Sequence, residues 1–99
     1  MSDDVKPRLS LRLYIAGDAP NSIVAVANLR SAIADRADGR ADVEIVDVLR
    51  EPQRGLRDGV FVTPMLVKCE PGPERRVLGN LGDRRFLLGV LGLEESPGE

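Results

Sequence analysis

The chain has 99 residues, a formal net charge of −2, no histidine, one cysteine, two phenylalanines and one tyrosine. This length suits a single domain, because chains usually divide only above about 200 residues. The basic residues are scattered and few aromatic rings lie among them, so the composition argues against nucleic acid as a partner. No apolar run approaches the ~20 residues that a membrane-spanning helix needs, so we expect no membrane partner.

The two ends of the chain are polar. We expect residues 1–8 and 94–99 to be flexible tails on either side of a single domain at residues 9–93. The first residues are acidic and polar, unlike a secretory signal, and the lone Cys69 rules out an internal disulfide. These features agree with a reducing compartment, and we therefore expect a cytoplasmic protein.

The first predicted element is a strand at residues 9–15. Its aliphatic side chains alternate with mostly polar ones, and this period of two is typical of a strand with one face in a core. A turn follows, in which Gly17 and Pro20 are expected to be structural residues. The strand therefore leads directly into the next element.

A helix is predicted to begin at Ile23, capped by Asn21 or Ser22, and to end at Gly39. Its apolar residues recur at intervals of three or four and should form one buried stripe: Ile23, Val26, Leu29 and Ile33. Residues 43–49 are rich in β-branched side chains and are apolar on both faces near their end, which indicates a strand covered on two sides. A strand, a helix and a strand in this order favour a parallel pair.

The chain then becomes less regular. Residues 51–59 have a proline suited to the first turn of a helix and a glycine suited to its end, so we expect at most a short helix. Residues 60–69 are strand-like but contain Pro64, which cannot donate to a ladder and so marks an edge, a bulge or a cis bond. We interpret Pro64 as a structural pivot.

The last elements are a hairpin and a helix. Residues 75–78 are expected to return antiparallel to residues 65–69, because the proline- and glycine-rich stretch between them must turn the chain. Residues 84–93 are predicted to be helical with Asp83 as the cap. Two glycines inside this helix weaken it by roughly 1 kcal/mol each.

The predicted order resembles the α/β thioredoxin-like fold: a βαβ unit, a short helix, a ββ hairpin after the Thr63–Pro64 motif, and a C-terminal helix. Four blocks in the same order and at similar spacing resemble the KaiB family. They are residues 13–22 (LYIAGDAPNS), 46–49 (VDVL), 63–66 (TPML) and 75–84 (RRVLGNLGDR). The resemblance covers roughly residues 11–93.

The resemblance implies timing rather than catalysis. KaiB proteins are small regulators of bacterial circadian or related timing systems that bind KaiC, a hexameric ATPase, and the same fold is a sensor domain on clock-linked histidine kinases. It also implies a possible homo-oligomer, a dimer or a tetramer, and an alternative ground-state arrangement of the C-terminal half. Asp42 and Glu44 stand where the family often has a neutral and then a basic residue.

The residues that the chain lacks argue against the common kinds of enzyme chemistry. Without histidine, the usual general base near neutral pH is absent. The turn after the first strand has no pair of cysteines, which excludes dithiol exchange, and it lacks the spaced glycines of a dinucleotide loop. We expect no cofactor and no metal. The alternative to a binding protein is a thioredoxin-like monothiol enzyme that uses Cys69, although a lone cysteine at the end of a strand more often packs.

Charged residues of the predicted sheet are the candidates for partner binding: Lys68, Arg75, Arg76, Asp42, Glu44 and Asp47. The paired arginines could clamp carboxylates of a partner or simply protect an edge strand. Asp47 could bind a ligand at the carboxyl end of a parallel strand, or it could cap the following turn and pair with Arg50. Elimination favours a non-catalytic binding protein. The resemblance to the KaiB family implies that it regulates a timing or stress-signalling system and docks on a KaiC-like ATPase or a sensor histidine kinase.

Overall fold

The computed structural model describes residues 8–37 and 39–93, so the expectations for residues 1–7 and 94–99 lie outside the described residues. The elements in chain order are β1 (Leu9–Ile15), α1 (Pro20–Arg36), β2 (Ala41–Asp47), α2 (Pro52–Arg57), β3 (Met65–Glu70), β4 (Arg75–Leu78) and α3 (Arg84–Leu91). The predicted order of elements is therefore confirmed, with boundaries shifted by a few residues.

The four strands form one sheet in the order β2-β1-β3-β4. β1 and β2 are parallel, while β3 is antiparallel to both β1 and β4. The predicted hairpin is confirmed, because Met65 lies opposite Leu78 and Lys68 lies opposite Arg75. In this structure the C-terminal half thus has the thioredoxin-like arrangement.

α1 and α3 contribute to one core cluster with the sheet, and β1 contributes Leu9, Leu11 and Leu13 to it. The stripe predicted for α1 is partly wrong, because the buried residues are Ser22, Ala25, Leu29 and Ala32. Ile23 is 56% exposed, whereas Val26 and Ile33 pack only partly against the cluster. Small side chains lie at three of the four buried positions, which lets the helix backbone approach the sheet closely.

The start of α1 also differs from the prediction. The helix begins at Pro20 with Ala19 as its N-cap, and no side chain caps it. Proline suits this position because the missing N–H has no partner inside a helix anyway. Ser22 instead accepts a hydrogen bond from the Ala16 N–H at 3.1 Å, which ties the helix back to the end of β1. The helix ends at Arg36, before Gly39.

The second core cluster lies on the opposite face of the sheet. It contains Tyr14, Val46, Val60 and Val67, although Tyr14 is on the face of β1 predicted to be mostly polar. Neighbouring residues of a strand point to opposite faces. Near its end β2 is apolar on both faces as predicted, because Ile45 packs against the first cluster and Val46 is buried in the second.

Pro64 immediately precedes β3 and is buried. Its bond to Thr63 is cis, one of the three possibilities that the sequence left open. The Pro64 carbonyl accepts a hydrogen bond from the Gly79 N–H at 2.9 Å, which joins the start of β3 to the end of β4.

α3 confirms the predicted cap. The Asp83 side chain accepts a hydrogen bond from the Phe86 N–H at 3.0 Å. The helix stops at Leu91, two residues before the predicted end, because Gly92 adopts a left-handed conformation with φ of 74°.

Candidate functional site

The β3–β4 hairpin presents two arginines at one edge of the sheet. In the described sheet, β4 pairs with β3 alone, so its outer edge is open. Arg75 and Arg76 are both exposed. The Arg76 guanidinium lies 2.9 Å from a carboxylate oxygen of Glu74 and donates to the backbone oxygens of Asp58 at 2.7 Å and Gly59 at 3.3 Å. Arg76 therefore joins β4 to the turn after α2.

Lys68 does not share the exposure of the two arginines. Although it lies opposite Arg75, it is only 7% exposed, and its Nζ donates a hydrogen bond to the Pro71 carbonyl. The aliphatic stem of a lysine can pack among apolar side chains, which explains how a strand position that reads as charged comes to be buried. The expected group of three basic side chains on the hairpin surface is thus reduced to two, and Lys68 holds the turn between the strands.

Asp42 and Glu44 lie on β2, the opposite edge of the sheet. Three strand spacings separate the two edges, or about 14 Å. The six candidate residues therefore do not form one cluster.

Each of the two acids is bound by an arginine. Asp42 accepts two hydrogen bonds from Arg8, at 2.9 and 2.7 Å, and Glu44 accepts two from Arg54, at 2.9 and 3.0 Å. Arg12 approaches Glu44 to 3.7 Å. The hydrogen bonds from Arg8 and Arg54 hold the pKa of Asp42 and of Glu44 below their usual values. This edge carries paired charges, because arginine forks match carboxylates well.

Asp47 caps the turn after β2, as one of the two readings of the sequence predicted. Its Oδ1 accepts hydrogen bonds from the Gly17 and Leu49 N–H groups, both at 2.9 Å. These bonds lower the pKa of Asp47, and Arg50 lies 3.9 Å from its second oxygen. Because Gly17 follows β1, the carboxylate joins the ends of the two parallel strands.

Gly17 and Pro20, which we expect to be structural residues, lie in the turn after β1 and at the start of α1. Gly17 has φ of +57°, a conformation that L side chains rarely adopt, and an added Cβ would lie 3.1 Å from Leu49. Pro20 opens α1.

A polar group that the sequence pattern did not predict adjoins the second core cluster. The Tyr14 hydroxyl donates to Asp58 Oδ2, and Arg12 lies 3.7 Å from the same oxygen. Burial raises the pKa of Tyr14, whereas the hydrogen bond from Tyr14 lowers the pKa of Asp58. The sequence gives only one sign of this hydrogen bond, which is a tyrosine among the polar positions of β1. The partner, Asp58, is 44 residues away and could not be inferred from local sequence.

Cys69 is half-buried near the end of β3 and packs against the second core cluster. Its Sγ lies 3.9 Å from the Val67 carbonyl, as a weak donor. The chain has no second cysteine with which it could form a dithiol. This position agrees with the packing role.

Two further findings limit the chemistry of the described residues. Within residues 8–37 and 39–93, no three or more acidic or cysteine side chains lie together as metal ligands could. None of the helices in the same part of the chain has the length and apolarity to cross a membrane.

A family model described as the KaiB domain matches residues 12–93. This chain belongs to the KaiB family. It is 41% identical over 81 residues to the circadian clock oscillator protein KaiB of Prochlorococcus marinus (strain MIT 9303), an alignment that covers 81% of this chain and 68% of the relative. It is 38% identical over 81 residues to the protein of that name from Nostoc punctiforme (strain ATCC 29133 / PCC 73102), covering 81% and 78%.

Solved structures confirm the fold of this KaiB-family chain. The N-terminal domain of Synechococcus elongatus SasA superposes with a TM-score of 0.71 at 24% identity, covering 97% of this chain and 94% of that domain. Chloroplastic thioredoxin z gives a TM-score of 0.73 at 19% identity, covering 88% and 78%. At these identities the likeness shows the fold alone. The family and the thioredoxin-like fold predicted from the sequence are both confirmed.

Proposed function

We propose that this KaiB-family chain is a non-catalytic regulatory binding protein of a bacterial circadian, timing or stress-signalling system. In this proposal it docks on a KaiC-like ATPase or on a sensor histidine kinase. The family model over residues 12–93 and the relatives named as clock oscillator proteins support a clock regulator. The SasA domain, at 24% identity, supports the fold alone.

The open edge of β4 is the main support for a docking surface on this strand. An edge strand has unpaired N–H and C=O groups that can pair with an extended segment of a partner. Arg75 and Arg76 stand exposed on this strand, where guanidinium groups can bind partner carboxylates. Lys68 acts here by holding the hairpin turn through the Pro71 carbonyl.

The acids of the opposite edge have a different role in this proposal. Asp42 and Glu44 form ion pairs with Arg8 and Arg54, so this edge has alternating charges but little net charge. Charges at the rim of an interface act mainly on association rate and on the choice of partner. We assign partner selection to these acids, and to Asp47 the support of the neighbouring turn.

The setting of the protein follows from the same proposal. We place it in the cytoplasm, without nucleic acid, membrane or cofactor as partners. We propose a homo-oligomer, either a dimer or a tetramer, as its own assembly state.

Titration calorimetry with a purified KaiC-like ATPase tests the docking surface. The double variant Arg75→Glu with Arg76→Glu should bind about tenfold more weakly or worse, because both cations are exposed on the open edge. Its melting temperature should fall by a few degrees, because Arg76 loses its hydrogen bonds to the backbone oxygens of Asp58 and Gly59. Arg75→Glu alone should melt close to the wild type and still bind more weakly, since an exposed charge contributes little to stability.

A matched control makes the same charge change elsewhere. Arg30 on α1 and Arg85 on α3 are also exposed, so Arg30→Glu with Arg85→Glu should bind like the wild type. Equal affinity of all three proteins would rule out the β4 edge as the docking surface. Failure of the wild type to bind the ATPase and also a sensor kinase would reject the proposed function itself.

A further inference from the structure

The connection between β2 and β3 exposes apolar side chains that neither core cluster uses. The exposed residues are Leu49 at 70%, Leu56 at 67%, Phe61 at 79% and Val62 at 54%. Its other large aliphatic side chains, Val48 and Val60, pack in the second core cluster. Four exposed large apolar side chains thus fall within 14 residues of one connection, and exposed apolar surface of this kind is typical of interaction sites.

The packing of α2 explains why these side chains point outward. The helix packs through buried Gly55 against Val48, the residue after β2, and an added Cβ would lie 3.2 Å from that side chain. The Val60 N–H also donates to the Gly55 carbonyl at 2.8 Å, so the chain closes tightly around this glycine. The neighbouring Leu56 lies outside this contact and is 67% exposed.

Two of the three arginines of this connection are largely exposed, whereas the side chain of Arg54 is only 22% exposed. The side chains of Arg50 and Arg57 are 86% and 69% exposed. The acids beside them are turned inward: Asp47 is 23% exposed and caps the turn, and Asp58 is 18% exposed and accepts from Tyr14. Glu51 is more exposed, at 52%, and lies 3.6 Å from Arg54. Arg50 lies 3.9 Å from Asp47 and Arg57 lies 3.7 Å from Asp58, and both acids also accept hydrogen bonds from other groups. Each exposed leucine of this connection is thus followed by an exposed guanidinium that shares its nearby carboxylate with another donor.

We propose that this region is a second docking surface, the α2 surface, for a partner segment with an apolar face bordered by carboxylates. It consists of Leu49, Arg50, Leu56, Arg57, Phe61 and Val62. The apolar side chains take the apolar face of that segment, and the two guanidiniums bind the carboxylates at its borders. This inference goes beyond the proposed function, which uses the β4 edge and the acids of β2.

A titration of the isotope-labelled full chain by NMR tests the α2 surface with two synthetic peptides. One is an amphipathic helix with leucine and phenylalanine on one face and glutamate at both borders, and the other has lysine in place of each glutamate. The glutamate peptide should shift the amide signals of residues 49–62 and bind about tenfold more tightly than the lysine peptide.

Paired variants separate the apolar and the charged contributions. Leu56→Ser with Phe61→Ser should weaken binding of the glutamate peptide about tenfold or more. Its control is Ile23→Ser with Phe86→Ser, because these residues are similarly exposed, at 56% and 54%, on α1 and α3. Arg50→Glu with Arg57→Glu should reverse the preference between the two peptides, whereas Arg30→Glu with Arg85→Glu should leave it unchanged.

Several outcomes overturn the proposal. These are the absence of binding, equal binding of the two peptides, signal shifts confined to another surface, or equal losses in the control variants. A wild-type dimer that Leu56→Ser with Phe61→Ser dissociates also overturns it, because a second copy of the chain would then cover this surface. Sedimentation of the wild type across a concentration series detects that dimer. None of these measurements requires a KaiC-like ATPase, so they stand apart from the test of the proposed function.

Discussion

The Tyr14 hydroxyl donates a hydrogen bond to Asp58 and so joins β1, one of the two central strands of the sheet, to the turn after α2. Tyr14 is fully buried, at 0% exposure, and Arg12 lies 3.7 Å from the same carboxylate oxygen. The backbone oxygen of Asp58 in turn accepts from Arg76 on β4 at 2.7 Å. Asp58 therefore links β1, the end of α2 and the edge strand that we propose as the docking site.

Tyr14→Phe tests how much this link contributes to stability. The substitution removes the donor to a carboxylate that is only 18% exposed, so we expect a loss of about 1–3 kcal/mol in the free energy of unfolding. Urea denaturation at 25 °C measures it. In a double-mutant cycle with Asp58→Ala, the two losses should be clearly less than additive, and strict additivity would show that the hydrogen bond carries no stability.

The same tyrosine should make the fold sensitive to alkali. Its pKa is raised above the ordinary value of 10.0, chiefly because burial disfavours the phenolate. A raised pKa in the folded state contributes stability that is present below the unfolded pKa and lost as the pH rises towards the folded one. The wild type should therefore lose stability above about pH 10, and Tyr14→Phe should lose less over the same range. Parallel slopes for the two proteins would contradict this prediction.

Acid should weaken the fold through its carboxylates. The pKa of Asp58 is lowered by the hydrogen bond from Tyr14, and that of Glu44 by the hydrogen bonds from Arg54. Lowered values contribute stability that is present above the unfolded values of 3.8 and 4.5 and lost as the pH falls through the folded ones. The melting temperature should be level near neutral pH, since the chain has no histidine, and should fall below roughly pH 4.5.

Asparagine at position 58 provides the matching variant for the acid limb. The melting temperature of Asp58→Asn should be lower than that of the wild type at neutral pH, and it should fall less steeply as the pH decreases. An unchanged acid slope would show that the lowered pKa of Asp58 is not coupled to folding.

Asp47→Ala tests the clamp between the two parallel strands. The variant leaves the Gly17 and Leu49 N–H groups without the carboxylate oxygen that binds both, so the melting temperature should fall by several degrees. Hydrogen exchange should increase at these two amides first. Asp18→Ala, a substitution of an exposed neighbour, is the control and should have little effect. Similar melting temperatures for the two variants would show that the clamp is not stabilising.

Local signals explain why most of the fold could be predicted. The alternation of β1, the proline- and glycine-rich turn before β4 and the Asp83 cap all act over a few residues of sequence. The predicted buried face of α1 was partly wrong, because apolarity alone favours burial of Ile23 over burial of Ser22. Packing selects the smaller residue there, since the helix lies close to the sheet.

The polar contacts of the candidate site could not be predicted in the same way. The Tyr14–Asp58 bond spans 44 residues of sequence, and the Arg8–Asp42 pair spans 34. Such partners depend on the sheet order and register, which periodicity does not give. The prediction that Lys68 is exposed was wrong for another reason. Its long aliphatic stem can be buried although its charge favours exposure.

Charge reversal at β2 tests whether its acids select the partner. In Asp42→Lys with Glu44→Lys, the edge changes from paired to strongly basic, because Arg8 and Arg54 lose their carboxylates. The family resemblance places neutral or basic residues at these positions in clock members. We therefore expect the variant to bind a clock-type KaiC about tenfold more tightly than the wild type and its own cognate partner more weakly.

The measurement is titration calorimetry at two salt concentrations, because a gain that comes from charge should shrink as salt increases. Asp18→Lys with Asp35→Lys adds the same charge on and before α1 and serves as the control for a general electrostatic attraction. Thermal denaturation shows whether the loss of both ion pairs has disturbed the edge. If the variant and the control gain affinity equally, net charge alone accounts for the change, and Asp42 and Glu44 do not select the partner.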